Sequence, residues 1–208
     1  NILVVTEAYP SHNRPYQMCF AHKRVKQLLK YGCRAQVFCP RSITLGTYLR
    51  ALKEAAGFFK TPKNSSYNWD GISIHSMRYH SFLPSKIHSR TNSHLAYRAI
   101  KPKLLKLHRE YGFNLFDLVH ATPLCLAASR IAKELGLYCV QDVGMSDIDS
   151  YYRDPQSCRF KLQREIMLAC DLVVCVSNRT NQMMKLMADG HVQTVTHYAG
   201  VDPAVSYT

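Results

Sequence analysis

The chain has 208 residues, 47% of them hydrophobic, with 27 Lys and Arg against 14 Asp and Glu for a net charge of +13. That length supports one well-buried α/β domain, and the composition is that of a globular protein, not a disordered or fibrous one. No apolar run approaches the roughly 18 residues a membrane-crossing helix needs, so no transmembrane helix is predicted.

Residues 2–6 form a continuous apolar run with no basic n-region or cleavage site, which predicts a core strand and not a signal peptide. Residues 20–31 place Val25, Leu28 and Leu29 at helical spacing ahead of Gly32, a residue suited to a left-handed C′ position. A strand over 35–39 is stopped by Pro40. Residues 41–70 break the rhythm. Within them, Leu45, Tyr48, Leu49, Leu52 and Phe59 fall near one helical face, flanked by Arg50, Lys53, Lys60 and Lys63. This basic amphipathic insertion suits an interfacial membrane helix or a helix packed on the domain's own core. Residues 72–77 alternate as a half-buried strand. Residues 95–111 predict a long basic helix with Ile100, Leu104, Leu107 and Tyr111 in step, in which Pro102 marks a kink or the true start. A strand at 116–120, a helix at 124–135 closing at Gly136, a strand at 137–140 and a helix at 158–169 follow. The chain finishes with a buried strand at 171–177, a helix running to Asp189, a strand at 192–197 and a Gly/Pro turn. A β-α-β unit that stops at a turn is expected of one half of a larger, two-lobed protein.

The charge is uneven. Residues 1–110 hold 19 Lys and Arg against 4 Asp and Glu, and residues 111–208 hold 8 against 10. A basic face is expected, open to anionic lipid, nucleic acid or a phosphorylated substrate, or simply solvated. The eight cysteines show neither a Cys-x-x-Cys pair nor metal-ligand spacing with histidine. Cys39, Cys139 and Cys175 sit inside strand-like runs, where cysteine behaves as a small core residue. The pattern predicts a reducing compartment without a disulfide framework. Neither a metal nor a cofactor is expected.

Alternating strands and helices predict a mostly parallel sheet covered on both faces, an α/β Rossmann-like three-layer sandwich. Ligands of such sheets bind at the carboxyl ends of the strands. That rule selects the loops at 7–19, 120–123, 142–155 and 177–181. The first has neither Gly-x-Gly-x-x-Gly nor a P-loop, so no dinucleotide site of the usual kind is expected, although the helix after it can hold a phosphate through free N–H groups. His12, Arg14 and Tyr16 lie in this polar loop, as anion contacts or as solvated residues. His120 ends a strand, as a ligand contact or a satisfied structural histidine. Asp147 binds substrate hydroxyls or caps a turn. Ser177 is expected to N-cap the following helix and to face the cleft. His22 reads as a partly buried surface residue, and Asp117 as a turn residue and not a base.

Seven segments in order resemble the family-4 glycosyltransferases of GT-B fold. They are Tyr9-Pro-Ser, Phe20-Ala-His22-Lys-Arg24-Val-Lys-Gln-Leu28 leading into Tyr31-Gly32-Cys33, Asp70-Gly-Ile-x-Ile-His, Phe116-Asp-Leu-Val-His120-Ala, Val143-Gly-Met-Ser-Asp147-Ile, Asp171-Leu-Val-Val-Cys-Val-Ser177 and Tyr198-Ala-Gly-Val-Asp202. The resemblance implies that residues 1–198 are the N-terminal, acceptor-binding domain and that 199–208 begin an interdomain linker. It implies a nucleotide sugar held mainly by a second domain, a glycan or lipid-linked acceptor, and no obligatory metal. It also implies a cytoplasmic protein, peripheral on the inner face of the membrane where the acceptor is lipid-linked. Two positions depart from the family pattern. Met18 stands where a glycine lets the backbone approach a pyrophosphate, and Gly144 or Val143 stands where a histidine contacts the sugar. These departures fit an alternative, a non-catalytic Rossmann-like module that has lost the donor site. A nucleic-acid binder is disfavoured, because the aromatic residues are not interleaved with the basic ones as stacking platforms require.

Overall fold

A computed structural model describes residues 1–43, 64–81, 89–144 and 154–198. Nine strands of these residues form one sheet: β1 (Ile2–Val5), β2 (Ala35–Phe38), β3 (Arg41–Ile43), β4 (Asn64–Trp69), β5 (Ile72–His80), β6 (Leu115–Val119), β7 (Tyr138–Val143), β8 (Leu172–Cys175) and β9 (Thr194–Thr196). Five helices of the described residues connect them: α1 (Cys19–Lys30), α2 (Ser89–Tyr111), α3 (Pro123–Glu134), α4 (Cys158–Ala169) and α5 (Asn178–Met187). From β4 at one edge the order runs β5, β2 with β3, β1, β6, β7, β8, β9. All neighbours are parallel except β4 and β5.

The strands β2 and β3 are one strand interrupted by Pro40. Val37 pairs with Ile74 and Arg41 with Arg78, so both keep the same offset along β5. The hairpin from β4 to β5 turns through Asp70 (φ 51°) and Gly71 (φ 79°), both left-handed as a two-residue turn demands, and the Asn68 side chain accepts the Gly71 N–H at 2.9 Å. The insertion at 41–70 therefore begins and ends in strands, β3 and β4, that its composition did not suggest. The amphipathic segment at 45–60 lies outside the described residues. The helix α2 starts at Ser89 and runs through Pro102, so the proline does not mark the helix start. Proline has no N–H to give the preceding turn, but the buried stripe of Ala96, Ile100, Leu104 and Leu107 holds α2 to the sheet across it.

The chain steps from β1 to β2 on one side, then returns and adds β6, β7, β8 and β9 on the other. Right-handed crossovers taken in opposite directions place their helices on opposite faces. Hence α2, α3, α4 and α5 share one face, and among the described residues α1 alone covers the other. The four-helix face is apolar: Leu3, Val5, Phe116, Leu118 and Cys139 meet α2, α3 and α4, and Val173 and Cys175 meet the methionines of α5. The α1 face buries Val4, Val37, Ile72, Ile74 and Val119 under Ala21 and Val25. Cys39, Cys139 and Cys175 are buried in the core, and all eight cysteines are free thiols.

Asp117 is not a turn residue. It sits in the middle of β6, 2% exposed, on the α1 face. Arg24 of α1 donates to it at 3.0 Å and to Asp142 of β7 at 2.7 Å. Desolvation pushes the Asp117 carboxyl up to about 6 against the pull of Arg24, with Asp142 adding to the rise. The guanidinium fork thus pins α1 to two strands through charge-assisted bonds.

Candidate crevice at the carboxyl ends of β1 and β6

The sheet order reverses between β1 and β6, whose registers run together from Ile2 and Leu115 to Val5 and Leu118. In open α/β sheets the crevice beyond such a reversal is the ligand site. Glu7 follows β1 there and His120 follows β6. Met18 caps the start of α1, and Thr122 the start of α3.

Two of these residues hold backbones that L-amino acids avoid. Met18 has φ 53° and ψ 40°, and His120 has φ 70°. Non-glycine residues in this region are uncommon and collect where a site needs a particular direction of chain. The turn at His120 brings its ring edge-on to Phe20 in the first turn of α1, with centroids 5.4 Å apart. Met18 offers α1 no side-chain cap, and no acidic residue occupies the first turn. Its left-handed backbone is the conformation glycine adopts without strain, so the position kept the geometry that suits a glycine while carrying a long side chain.

Glu7 is half-buried, bonded to the Thr122 side chain and within electrostatic reach of His120, Tyr79 and Cys125. Burial raises its carboxyl above the ordinary range, while a hydrogen bond with the Thr122 side chain and the charge of His120 pull it down. Thr122 also accepts the Cys125 N–H at 3.3 Å, and Pro123 supplies the first helical residue, where a missing N–H costs nothing. The Cys125 thiol is pushed up to about 12 by burial.

The remaining residues selected from the sequence are placed as follows. His12 lies edge-on to Trp69, 5.3 Å between centroids, and Trp69 pairs with Ile72 at the start of β5. The loop after β1 reaches this hairpin because Tyr9 is fully buried beneath it and Tyr67 donates to the Pro10 carbonyl at 3.0 Å. Arg14 makes backbone hydrogen bonds with Ser11 in a tight turn, and Tyr16 is 88% exposed. Gly144 follows β7 at the carboxyl edge, and Asp147 lies outside the described residues. Ser177 is the N-cap of α5, its Oγ accepting the Thr180 N–H at 3.1 Å. His22 bonds Tyr9 Oη at 3.0 Å and Asp70 at 3.2 Å, which ties α1 to the hairpin turn. Sequence reasoning passed over Glu7, Thr122 and the Arg24–Asp117–Asp142 group. The signal for Glu7 was its position, two residues beyond a buried strand at the reversal.

The fold is that of one lobe of a GT-B architecture, a Rossmann-like three-layer sandwich with a mostly parallel sheet. No family model and no curated protein matches the sequence; the likeness is to solved structures. A sucrose-phosphate synthase from Thermosynechococcus elongatus aligns with TM-score 0.59 at 10% identity, over 97% of this chain and 90% of that one. Arabidopsis thaliana UGT89C1 complexed with UDP-L-rhamnose gives 0.55 at 13% identity, over 100% of this chain and 52% of that one. The UDP-GlcNAc 2-epimerase from Methanocaldococcus jannaschii gives 0.52 at 10%, over 94% and 44%. The chain spans about half the length of the last two. Among the described residues, no helix is long and apolar enough to cross a membrane.

Proposed function

We propose that this chain is the N-terminal, acceptor-side lobe of a glycosyltransferase that moves a sugar from a nucleotide sugar to a glycan or lipid-linked acceptor, inactive without a C-terminal donor lobe. The observation that carries the reading is the reversal of strand order between β1 and β6, in a fold whose neighbours include a protein complexed with UDP-L-rhamnose and a UDP-GlcNAc epimerase. That both a transferase-type and an epimerase neighbour occur means the fold alone does not choose the reaction. The order of seven family-like segments, from Tyr9-Pro-Ser to Gly200-Val-Asp202, supports the choice of transfer. In this reading His120 contacts the acceptor, Asp147 a substrate hydroxyl, and His12, Arg14 and Tyr16 the outer reaches of an anionic or extended acceptor. The basic first half faces an anionic membrane surface, where each Lys or Arg contributes about 1 kcal/mol near the lipid.

The test is a transfer assay with labelled nucleotide sugars, run on the chain alone and on the protein read in frame beyond Thr208. Transfer only by the longer protein, with a second half carrying Glu-x7-Glu, is the expected result. A longer reading frame without an α/β half would sink it. For the membrane part, co-sedimentation with anionic vesicles is expected to weaken as salt rises, and its absence at low salt removes that part.

A second reading, a non-catalytic module, is favoured by one observation: the side chain of Met18 stands at a left-handed position that would suit a glycine approaching a pyrophosphate. Turnover by the two-lobed protein that disappears on Asp147→Ala would exclude it.

A further inference from the structure

We propose that Cys139 and Cys170 form a reversible oxidation site, at which a low-molecular-weight disulfide joins the two thiols into a bond that staples the start of β7 to the end of α4. The site lies at the amino end of the sheet, away from the crevice, and its chemistry owes nothing to sugar transfer.

The fold builds this pair from residues that stand 31 positions apart in the chain. Cys139 is the second residue of β7 and is 2% exposed. Cys170 is the C-cap of α4, with an extended backbone, and is half-buried. Asp171 holds the β7 backbone on both sides of Cys139. Its N–H donates to the Cys139 carbonyl at 2.8 Å, and its carboxylate accepts the Cys139 N–H at 2.8 Å. The exit from α4 is thereby fixed against the strand. The residue before Asp171 then meets Cys139 with the two sulfurs 3.6 Å apart, one thiol donating to the other. A disulfide is about 2.05 Å long, so the sulfurs need close by only about 1.5 Å, a side-chain adjustment at a residue already outside the helix.

Burial sets the order of the steps. Cys139 offers a reagent almost no surface, whereas Cys170 is partly open. The Cys170 thiol is pushed up, first by its bond to Cys139 and then by burial. Thiolate is the attacking form, so the first step is slow and the pair rests reduced. In that step the Cys170 thiolate attacks one sulfur of the small disulfide and releases the other half as a thiolate. The mixed disulfide on Cys170 has the Cys139 sulfur beside it. Cys139 gives up its proton and attacks the Cys170 sulfur, expelling the second small thiol. Two protein thiols lose two electrons and two protons, and one small disulfide becomes two thiols. Excess small thiol drives the same steps backwards.

The experiment exposes the whole chain to glutathione disulfide and reads every cysteine by peptide mass spectrometry. The expected product is a cross-link between tryptic peptides 134–153 and 165–179, two hydrogens lighter than their sum. Fragmentation should place the bond on Cys170 and not on Cys175, which shares its peptide. Dithiothreitol should remove the link. Cys139→Ser should trap Cys170 as its glutathione adduct, and Cys170→Ser should leave Cys139 unmodified under the same exposure. Glutathione adducts on Cys19, Cys33 or Cys158 while Cys139 and Cys170 stay free overturn the proposal, and so does a dominant bond between any other two cysteines. If the serine variants do not fold, the wild-type cross-link alone decides, its presence on Cys139 and Cys170 supporting the site and its absence overturning it.

Discussion

On the face that carries α2 to α5, the strands meet helices with apolar side chains nearly everywhere. Buried polar side chains of the strands here are paired: Gln141 exchanges amide bonds at 3.2 Å in both directions with Gln163 of α4, and His75 bonds Gln36 and Ser66. On the α1 face the same sheet holds Asp117 and Asp142 beneath Arg24, and beyond α1 it exposes Tyr138 at 53% and Val195 at 43%. The two faces share every strand, so the difference comes from the helices. One crossover runs toward β2 and four run the other way, and each direction fills one face. The four-helix face is held by packing and the α1 face by a charged fork, so they should fail in different ways.

Deleting the packing should cost most. Phe116 is fully buried on the four-helix face, and Phe116→Ala is expected to remove about 4 kcal/mol of stability, read by urea denaturation. On the other face, Arg24→Met is expected to cost about 3 kcal/mol, because it leaves Asp117, with 3% of its side chain exposed, as a buried charge without its partner. If Arg24→Met proved neutral while Phe116→Ala did not, the fork would not be what fixes α1.

The fork should also show itself in pH. Asp117 is raised from 3.8 to about 6, mainly by desolvation, so the folded state holds this proton more tightly than the unfolded chain. The group therefore contributes stability below about pH 4 that is lost as pH rises through about 6, on the order of 3 kcal/mol, opposite in sign to a carboxylate with a lowered value. Asp117→Asn should abolish this slope, and a denaturation series from pH 4 to 7 reads it. A slope that survives in Asp117→Asn would assign it to another group. Smaller again is the cap of α5: Ser177→Ala removes one N-cap bond and is expected to cost about 1 kcal/mol, measured the same way.

How much of this was legible follows from which forces write themselves into sequence. Apolar periodicity located every strand and helix that crosses the core, including 158–169, because burial of a face requires it. Ser177 was readable as a cap because its bond is local, three residues away. β3 and β4 were not readable. They are short, Asn64–Trp69 is polar, and their pairing with β5 is a long-range event. Asp117 was misread for the same reason: its partner Arg24 lies 93 positions away, and nothing beside Asp117 in the chain announces it. His120 was legible as a strand-end residue, but its left-handed backbone was not, because nothing in the local sequence demands it. His12 was legible as a residue of the first loop, but its packing on Trp69 was not, because Tyr9 and Tyr67 carry that loop to the hairpin through long-range contacts.

The smallest expected effect bears most directly on the difference between the faces. Val195 lies in β9, paired with Val174, whose side chain shares its face, and among the described residues no helix lies over this end of the α1 face. Val195→Thr keeps the β-branched shape that strands favour and changes one methyl to a hydroxyl. With 43% of the residue already in water, the hydroxyl is solvated and the stability change should stay within about 0.5 kcal/mol. The matching exchange at Ile131, fully buried on α3 against the other face, should cost several times more, because it strands a hydroxyl in an apolar core. A loss above about 1 kcal/mol at Val195 would mean that the face is covered in solution, and the contrast drawn from the crossovers would then describe α1 alone and not the whole face.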